Sequence, residues 1–377
     1  MIIYFWLFLV FVVGAVVGSF LNVAIARLPM EKSLLWPGSR CGSCLQPVRW
    51  YDNLPILSYL ILRGRCRSCG QRFSPRYLVI EVITALGFVG LFYLEVVENI
   101  HGWPARPHEW LIARNIFPVS WWIGFLHHAI LFALLLVASG CDLQGREIPL
   151  GLTLPGTLLG LVLAVCLPWP WPWSPVEAAP VLAPNLPPGV QWQIPAQQLA
   201  AMGGRGFKEG IYAWPVWGPL PAWLAPGGTW QTGLATGLAG ALVGTFMLRV
   251  IRFLFSAGLG KEALGLGDAD LMMMGGAFLG WQMVVVAFFV SVVPGLFFGV
   301  FQMIFRRDNS LPFGPSLASG LMIACLCWNW LGPYVQPLFF WGAMLGFLAI
   351  FAAVFMLAAS FVLRLMRRGE AEEGSPC

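Results

Sequence analysis

The chain reads as long apolar runs separated by short polar stretches. The first run, 2–26, is long enough to cross a bilayer. Further spans are expected at roughly 78–97, 121–140, 150–167, 231–251, 282–305, 314–331 and 338–363, with a shorter one at about 269–281. The pattern predicts about eight or nine transmembrane helices; counting the short segment gives nine crossings and an inward-facing C-terminal tail. The end of the first run, Ala24-Ile25-Ala26, imitates a signal-peptidase site. No basic residue precedes that run and positive charge follows it, so it is expected to persist as a helix with its N-terminus outside.

Residues 168–230 interrupt the pattern. They are rich in Pro and Trp, including Trp169, Trp171, Trp173, Trp192, Trp214, Trp217, Trp223 and Trp230, and their only charges are Glu177, Arg205, Lys208 and Glu209. The prolines forbid a long helix. The tryptophans favour the interfacial zone, so an outer-face insert lying against the membrane surface is expected. A simple spacer is the other reading.

Composition removes the soluble alternatives. Hydrophobic residues make up 58% of the 377 and charged residues 10%, against about 25% charged in soluble domains. Mean hydropathy is +0.76. Disorder is excluded on the same grounds. The fold class is an all-α polytopic membrane protein.

Charge then orients it. Nine of the 22 basic residues are Arg27, Lys32, Arg40, Arg49, Arg63, Arg65, Arg67, Arg72 and Arg76, opposed in that interval only by Glu31 and Asp52. A basic segment between apolar runs reads as a cytoplasmic loop, in preference to a nucleic-acid patch, so no nucleic acid is expected as a partner. Arg146, Arg249, Arg252, Lys261, Arg306, Arg307, Arg364, Arg367 and Arg368 fall inside on the same parity. The expected organisation is therefore a first helix, 1–26; a cytoplasmic metal-binding loop domain, 27–77; helices, 78–167; a periplasmic insert, 168–230; further helices, 231–331; and an extra terminal helix with a cytoplasmic tail, 332–377.

Three constellations carry chemistry. Cys41-x-x-Cys44 and Cys66-x-x-Cys69 are separated by 21 residues. Two such knuckles can present four thiolates tetrahedrally to zinc, and in a reducing compartment a metal is favoured over disulfides. The metal would fold a small zinc-ribbon-like loop that is too small to hold a core of its own. The other two are acids at the ends of apolar runs: Asp142 in Ser139-Gly140-Cys141-Asp142, and Asp268 in Gly265-Leu266-Gly267-Asp268. A carboxylate near hydrocarbon costs up to about 2.5–3.5 kcal/mol on insertion scales, so it usually has a role. Two such acids at one membrane face could share a proton, one activating water while the other donates to a scissile carbonyl. Read singly, Asp268 could equally cap the following helix, and Asp142 could face water or pair with Arg146.

Together these elements resemble the type IV prepilin peptidases, the bacterial GxGD aspartic proteases of the inner membrane. The resemblance covers most of 14–325. It rests on Gly18-Ser19-Phe20-Leu21-Asn22, Arg27-Leu28-Pro29, the cysteine quartet around Asp52-Asn53-Leu54-Pro55, Arg76-Tyr77, Glu81, the Asp142 segment, Lys261-Glu262, Gly265–Asp268 and Pro312-Phe313-Gly314-Pro315. It implies a peptidase that removes a short basic leader, after a Gly, from prepilins or pseudopilins at the cytoplasmic face, with Asp142 and Asp268 as the catalytic pair. It also implies N-methylation of the new N-terminus with S-adenosylmethionine as methyl donor, and Gly64-Arg65 matches a Gly-basic pair tied to methyl transfer. The partners implied are these precursors and the lipid bilayer.

The chain departs from that pattern in three ways. Gln144 stands where many relatives have a second acid, and Asp270 stands where they usually have Lys. We expect Asp270 to make up for the missing carboxylate. The insert 168–230 and the terminal span 338–363 have no counterpart in the compact family pattern. The alternative function is a proton- or cation-coupled transporter built on Asp142, Asp268 and Asp270, but it leaves the cysteine quartet without a purpose.

Overall fold

A computed structural model describes residues 2–104, 117–173, 210–213, 223–224, 227–259, 265–305, 313–340 and 342–373. Most of the expected insert lies outside the described residues, as do Lys261, Glu262, Arg306, Arg307 and Pro312. Among the described residues the protein is helical, apart from two isolated antiparallel bridges in the cysteine loop. The helices are α1 (Ile2–Arg27), the short α2 (Leu57–Ile61), α3 (Arg76–Phe92) continued by a π-helical turn (Tyr93–Val97), α4 (Val119–Asp142), α5 (Leu150–Cys166), α6 (Trp230–Leu259), α7 (Leu266–Phe305), α8 (Gly314–Phe340) and α9 (Gly342–Glu373).

Among the described residues six stretches are long and apolar enough to cross a membrane: Ile3–Met30, Arg76–Val97, Val119–Asp142, Trp230–Gly258, Leu266–Val300 and Leu345–Val362. Leu150–Cys166 is apolar but shorter. The expected segments 269–281 and 282–305 both lie within α7, which is interrupted at Gly280 (φ 79°, ψ 171°), a left-handed backbone open to glycine. The chain is thus a multi-pass membrane protein. The expected total of eight or nine counts these two segments separately and adds α5 and α8.

The residues form two compact units. The first is Met1–Leu152 with Phe298–Ala318. In it α1 and α3 run antiparallel at close range: a Cβ on Gly14 would stand 2.8 Å from the Ala85 Cα, and one on Gly18 2.8 Å from the Glu81 Cα. Small residues let membrane helices approach this closely. The Asn22 amide ties the same pair by donating to the Tyr77 carbonyl at 3.0 Å. Helix α4 runs parallel to α1, with Trp6 against Trp122 near their starts and Ile25 filling the space beside Gly140 near their ends. This topology sets Asp142 at the same end of the unit as the cysteine loop. The π-helical turn and the start of α4 stand at the other end.

The second unit is Thr153–Phe297 with Ser319–Cys377. Its tightest crossing is between α6 and α7, where Gly240 and Gly276 meet backbone to backbone, with no space for a Cβ on either. Parts of the Pro/Trp-rich insert pack here. Trp169 and Tyr212 are fully buried in a cluster with Ala164, Leu167, Ile211 and Leu224, and the Thr232 hydroxyl donates to the Leu224 carbonyl at 3.1 Å. Trp223 and Trp230 remain exposed. The terminal helix α9 packs on α6, with Gly258 directly beneath Ser360.

Candidate active site

The cysteine loop is built from two copies of one turn. In the first, the Cys41 N–H donates to the Gln46 carbonyl at 3.0 Å and the Leu45 N–H to the Cys41 carbonyl at 3.0 Å. In the second, the Cys66 N–H donates to the Gln71 carbonyl at 2.8 Å and the Gly70 N–H to the Cys66 carbonyl at 2.9 Å. Leu45 and Gly70 both take the left-handed conformation that closes such a turn. The bridges Arg40–Pro47 and Arg65–Arg72 mark the same place in each copy.

The two turns face each other and bring the four sulfurs together. Cys41 and Cys69 lie 3.7 Å apart, Cys44 and Cys66 4.0 Å, and all four ligand atoms fall within 4.8 Å of one another. Tetrahedral zinc–thiolate bonds would set the sulfurs about 3.8 Å apart, so this donor set fits a metal such as zinc. The charge is unevenly shared. The backbone N–H groups of Cys44 and Ser43 hold the Cys41 thiol down to about 6. The Gln71 N–H favours the Cys69 thiolate too, but burial and the neighbouring sulfurs push that thiol up to about 12. A divalent ion would take the place of the proton that this crowding retains.

Three contacts fasten the loop to the helices and to itself. Arg27, ending α1, donates to the carbonyls of Ser33, Leu34 and Pro37 at 3.0, 3.3 and 2.6 Å. Glu81, buried in α3, accepts the Ile56 N–H at 2.7 Å. It does so where Ile56 is held at φ 62°, a backbone uncommon for a β-branched residue. Within the loop, Arg67 grips Asp52 through Nε and Nη2 at 2.6–3.0 Å. That hydrogen-bonded guanidinium holds the Asp52 carboxyl below the usual carboxylate range. Gly64 and Arg65 open the second turn. Gly64 sits at φ 64° with its missing Cβ position 2.8 Å from the Tyr59 ring, and Arg65 is exposed.

Asp142 is the last residue of α4 and is partly buried. Its Oδ2 accepts the Gly314 N–H at 2.8 Å, and no ion pair joins it to Arg146 among the described residues. Gly314 begins α8, so the carboxylate meets the partly positive end of a helix. Only glycine permits this approach, because a Cβ there would stand 2.8 Å from Oδ2 and 3.1 Å from the Asp142 Cβ. Gln144, at the position of the absent second acid, turns away and donates to the Gly140 carbonyl at 2.6 Å.

Asp268 belongs to the other unit. It is buried in the first turn of α7, inside the helix rather than at its cap, with Oδ2 turned back towards Gly265. Asp270 is buried in the same turn of α7. Its Oδ1 accepts from the Arg249 guanidinium at 3.1 Å, a partner that the sequence did not suggest. Of the expected site residues, the structure gathers the four cysteines, sets Gly64 and Arg65 beside them and gives Asp142 its partner. Gly314, Glu81 and Arg27 were visible only as parts of motifs, with no local signal for these contacts.

Comparison with known proteins adds the family context. The model described as the bacterial peptidase A24 N-terminal domain matches residues 12–94, and that of the type IV leader peptidase family matches 216–300. The cysteine quartet lies in the first match and Asp268 in the second; Asp142 falls between them. A prepilin leader peptidase/N-methyltransferase of Pseudomonas putida is 28% identical over 340 residues, covering 84% of this chain and 88% of the relative. The protein of that name from Klebsiella pneumoniae is 30% identical over 285 residues, covering 74% and 87%. The one from Myxococcus xanthus is 31% identical over 240 residues, covering 63% and 62%. No solved structure matches the chain significantly.

Proposed function

The chain belongs to the type IV leader peptidase family, and on that premise we propose that it removes the short basic leader of type IV prepilins or pseudopilins and N-methylates the new N-terminus. Asp142 and Asp268 act as the peptidase dyad. One ionised carboxylate takes a proton from water as the water attacks the scissile carbonyl, while the protonated partner donates to the carbonyl oxygen. Collapse of the tetrahedral intermediate breaks the C–N bond and sends a proton to the leaving amine. The Gly314 N–H fixes Oδ2 of Asp142, leaving Oδ1 for water or substrate.

The observation that carries this reading is the placement of Asp142. It ends a membrane-length helix, where a precursor with a basic leader and an apolar helix would present its scissile bond, and it is held by a helix 172 positions away in sequence. Cys41, Cys44, Cys66 and Cys69 hold zinc as a structural ion that cross-links the two turns. S-adenosylmethionine supplies the methyl group, and we assign Gly64 and Arg65 to it. An exposed guanidinium beside a left-handed glycine suits its carboxylate. The enzyme lies in the bacterial inner membrane with this end facing the cytoplasm, in keeping with the basic loop. The transporter alternative has no support among the relatives.

The test is cleavage of a purified precursor by the enzyme in detergent. Asp142→Asn and Asp268→Asn should each lower the cleavage rate by about 10²–10⁴-fold without loss of folded protein. Wild-type cleavage by either variant would refute the dyad.

A further inference from the structure

A second group of metal-type donors stands at the end of the first unit away from Asp142. Glu95, His101 and His128 each direct a ligand atom to one point, all within 4.8 Å of one another. Glu95 Oε1 lies 2.8 Å from His128 Nδ1 and 3.5 Å from His101 Nε2. Glu95 is fully buried, His128 nearly so, and the His101 side chain is 10% exposed. Neither the peptidase reading nor the cysteine loop uses any of them. His128 stands 14 residues before Asp142 on α4, about 21 Å of helix.

The surrounding structure is shaped to bring these atoms together. The helix carrying Glu95 widens there into a π-helical turn, closed by the Glu98 N–H donating to the Tyr93 carbonyl at 2.9 Å. Such turns break helical register and recur at functional sites. The chain then folds back through Asn99 in the left-handed region (φ 46°). The Asn99 side chain clamps Trp103 from both sides, accepting its N–H at 2.9 Å and donating to its carbonyl at 3.1 Å. Trp103 in turn stacks on His101, with centroids 5.0 Å apart and planes 19° apart, and fills the space over Gly124 one turn before His128. Every step of this loop sets His101 over Glu95.

A proton shared between Glu95 and His128 accounts for one contact. It leaves Oε2 of a fully buried carboxylate without a hydrogen-bond partner among the described residues, a costly state that an ion close to both carboxylate oxygens would relieve. It also gives no reason for the loop to bring in a second imidazole. A divalent ion meets all three donors at once. Two imidazole nitrogens and a carboxylate oxygen are a zinc donor set with a fourth position open to water, and tetrahedral bonds of this kind set the ligand atoms about 3.4 Å apart. The observed 2.8 and 3.5 Å bracket that value.

We propose that Glu95, His101 and His128 form a second metal site, which takes a divalent transition ion of the zinc class and fastens the end of α3 and its return loop to α4. The two sites differ in donors, sulfur at one and nitrogen with oxygen at the other, and this makes them separable.

The full chain in detergent, stripped with chelator and reloaded with ZnCl2 or CoCl2, should bind two ions, counted by mass spectrometry against protein. His101→Asn, in a loop outside the spans, should bind one, with the thiolate-to-cobalt charge-transfer band unchanged. Cys41→Ser with Cys44→Ser, Cys66→Ser and Cys69→Ser should also bind one, without that band. A single ion in the wild type would overturn the proposal, as would two ions undiminished by His101→Asn. Should the cysteine variant fail to fold, the His101→Asn comparison decides alone, because it reads the same band in an intact cysteine loop.

Discussion

At the scale of single residues, the contact between Asp142 and Gly314 has the sharpest consequence. The glycine supplies both the N–H that holds Oδ2 and the open space that lets the carboxylate approach. Gly314→Ala would push a Cβ against Oδ2 and displace the carboxylate by a few tenths of an ångström or more. We expect cleavage to fall by about 10²-fold, the scale of a small misplacement of a reacting group, with the protein still folded and inserted. Unchanged cleavage by purified Gly314→Ala would separate this contact from the chemistry. Asp142 and Asp268 were both legible as acids at the ends of apolar runs. The partner of Asp142 was not, because 172 positions separate the two residues and no local pattern links them. Nor did the sequence show that Arg249 engages Asp270, for charge spacing across two helices carries no contact information.

At the scale of elements, the cysteine loop folds by a metal and a few anchors rather than by a core. Among its described residues only Cys41, Ser58 and Gly64 are buried. Its two turns, the Asp52–Arg67 pair and the Glu81–Ile56 contact would therefore depend on the ion for their relative placement. Cys41→Ser with Cys44→Ser should make the loop sensitive to limited proteolysis and lower N-methylation more than cleavage. Glu81→Ala should also loosen it, by leaving the Ile56 N–H unpaired at a cost of about 1–3 kcal/mol, read as a lower unfolding midpoint. Equal loss of methylation and cleavage in the cysteine variant, at normal protein levels, would contradict a separable loop. The quartet itself was plain in the sequence, since its spacing alone implies a tetrahedral site. The internal likeness of the two turns was hidden, because Leu45 and Gly70 share a backbone conformation but no chemistry. The helices were legible as apolar runs. The break at Gly280 fell where the short and long segments were expected to divide, while the π-helical turn at Tyr93–Val97 had only Glu95 to mark it, which by itself does not signal a change of helical register.

At the scale of the whole molecule, the helix order gives the first unit two chemically distinct ends. One carries the basic loop, the cysteines and Asp142, and the other carries the Glu95 cluster. The multi-pass class followed from composition alone. The packing of the insert margins around Trp169 and Tyr212 did not, because Trp serves a membrane interface and a protein core equally well. The central claim is that one chain both trims and methylates a pilin-class precursor, with Asp142 and Asp268 needed for the trimming. It is tested most directly by the intact mass of such a precursor co-expressed with the enzyme. Wild type should yield a product lacking the leader and heavier by one methyl group, and Asp142→Asn or Asp268→Asn should leave the precursor whole. A panel of precursors left uncut by well-expressed wild-type protein, or cut equally by both variants, would contradict the account.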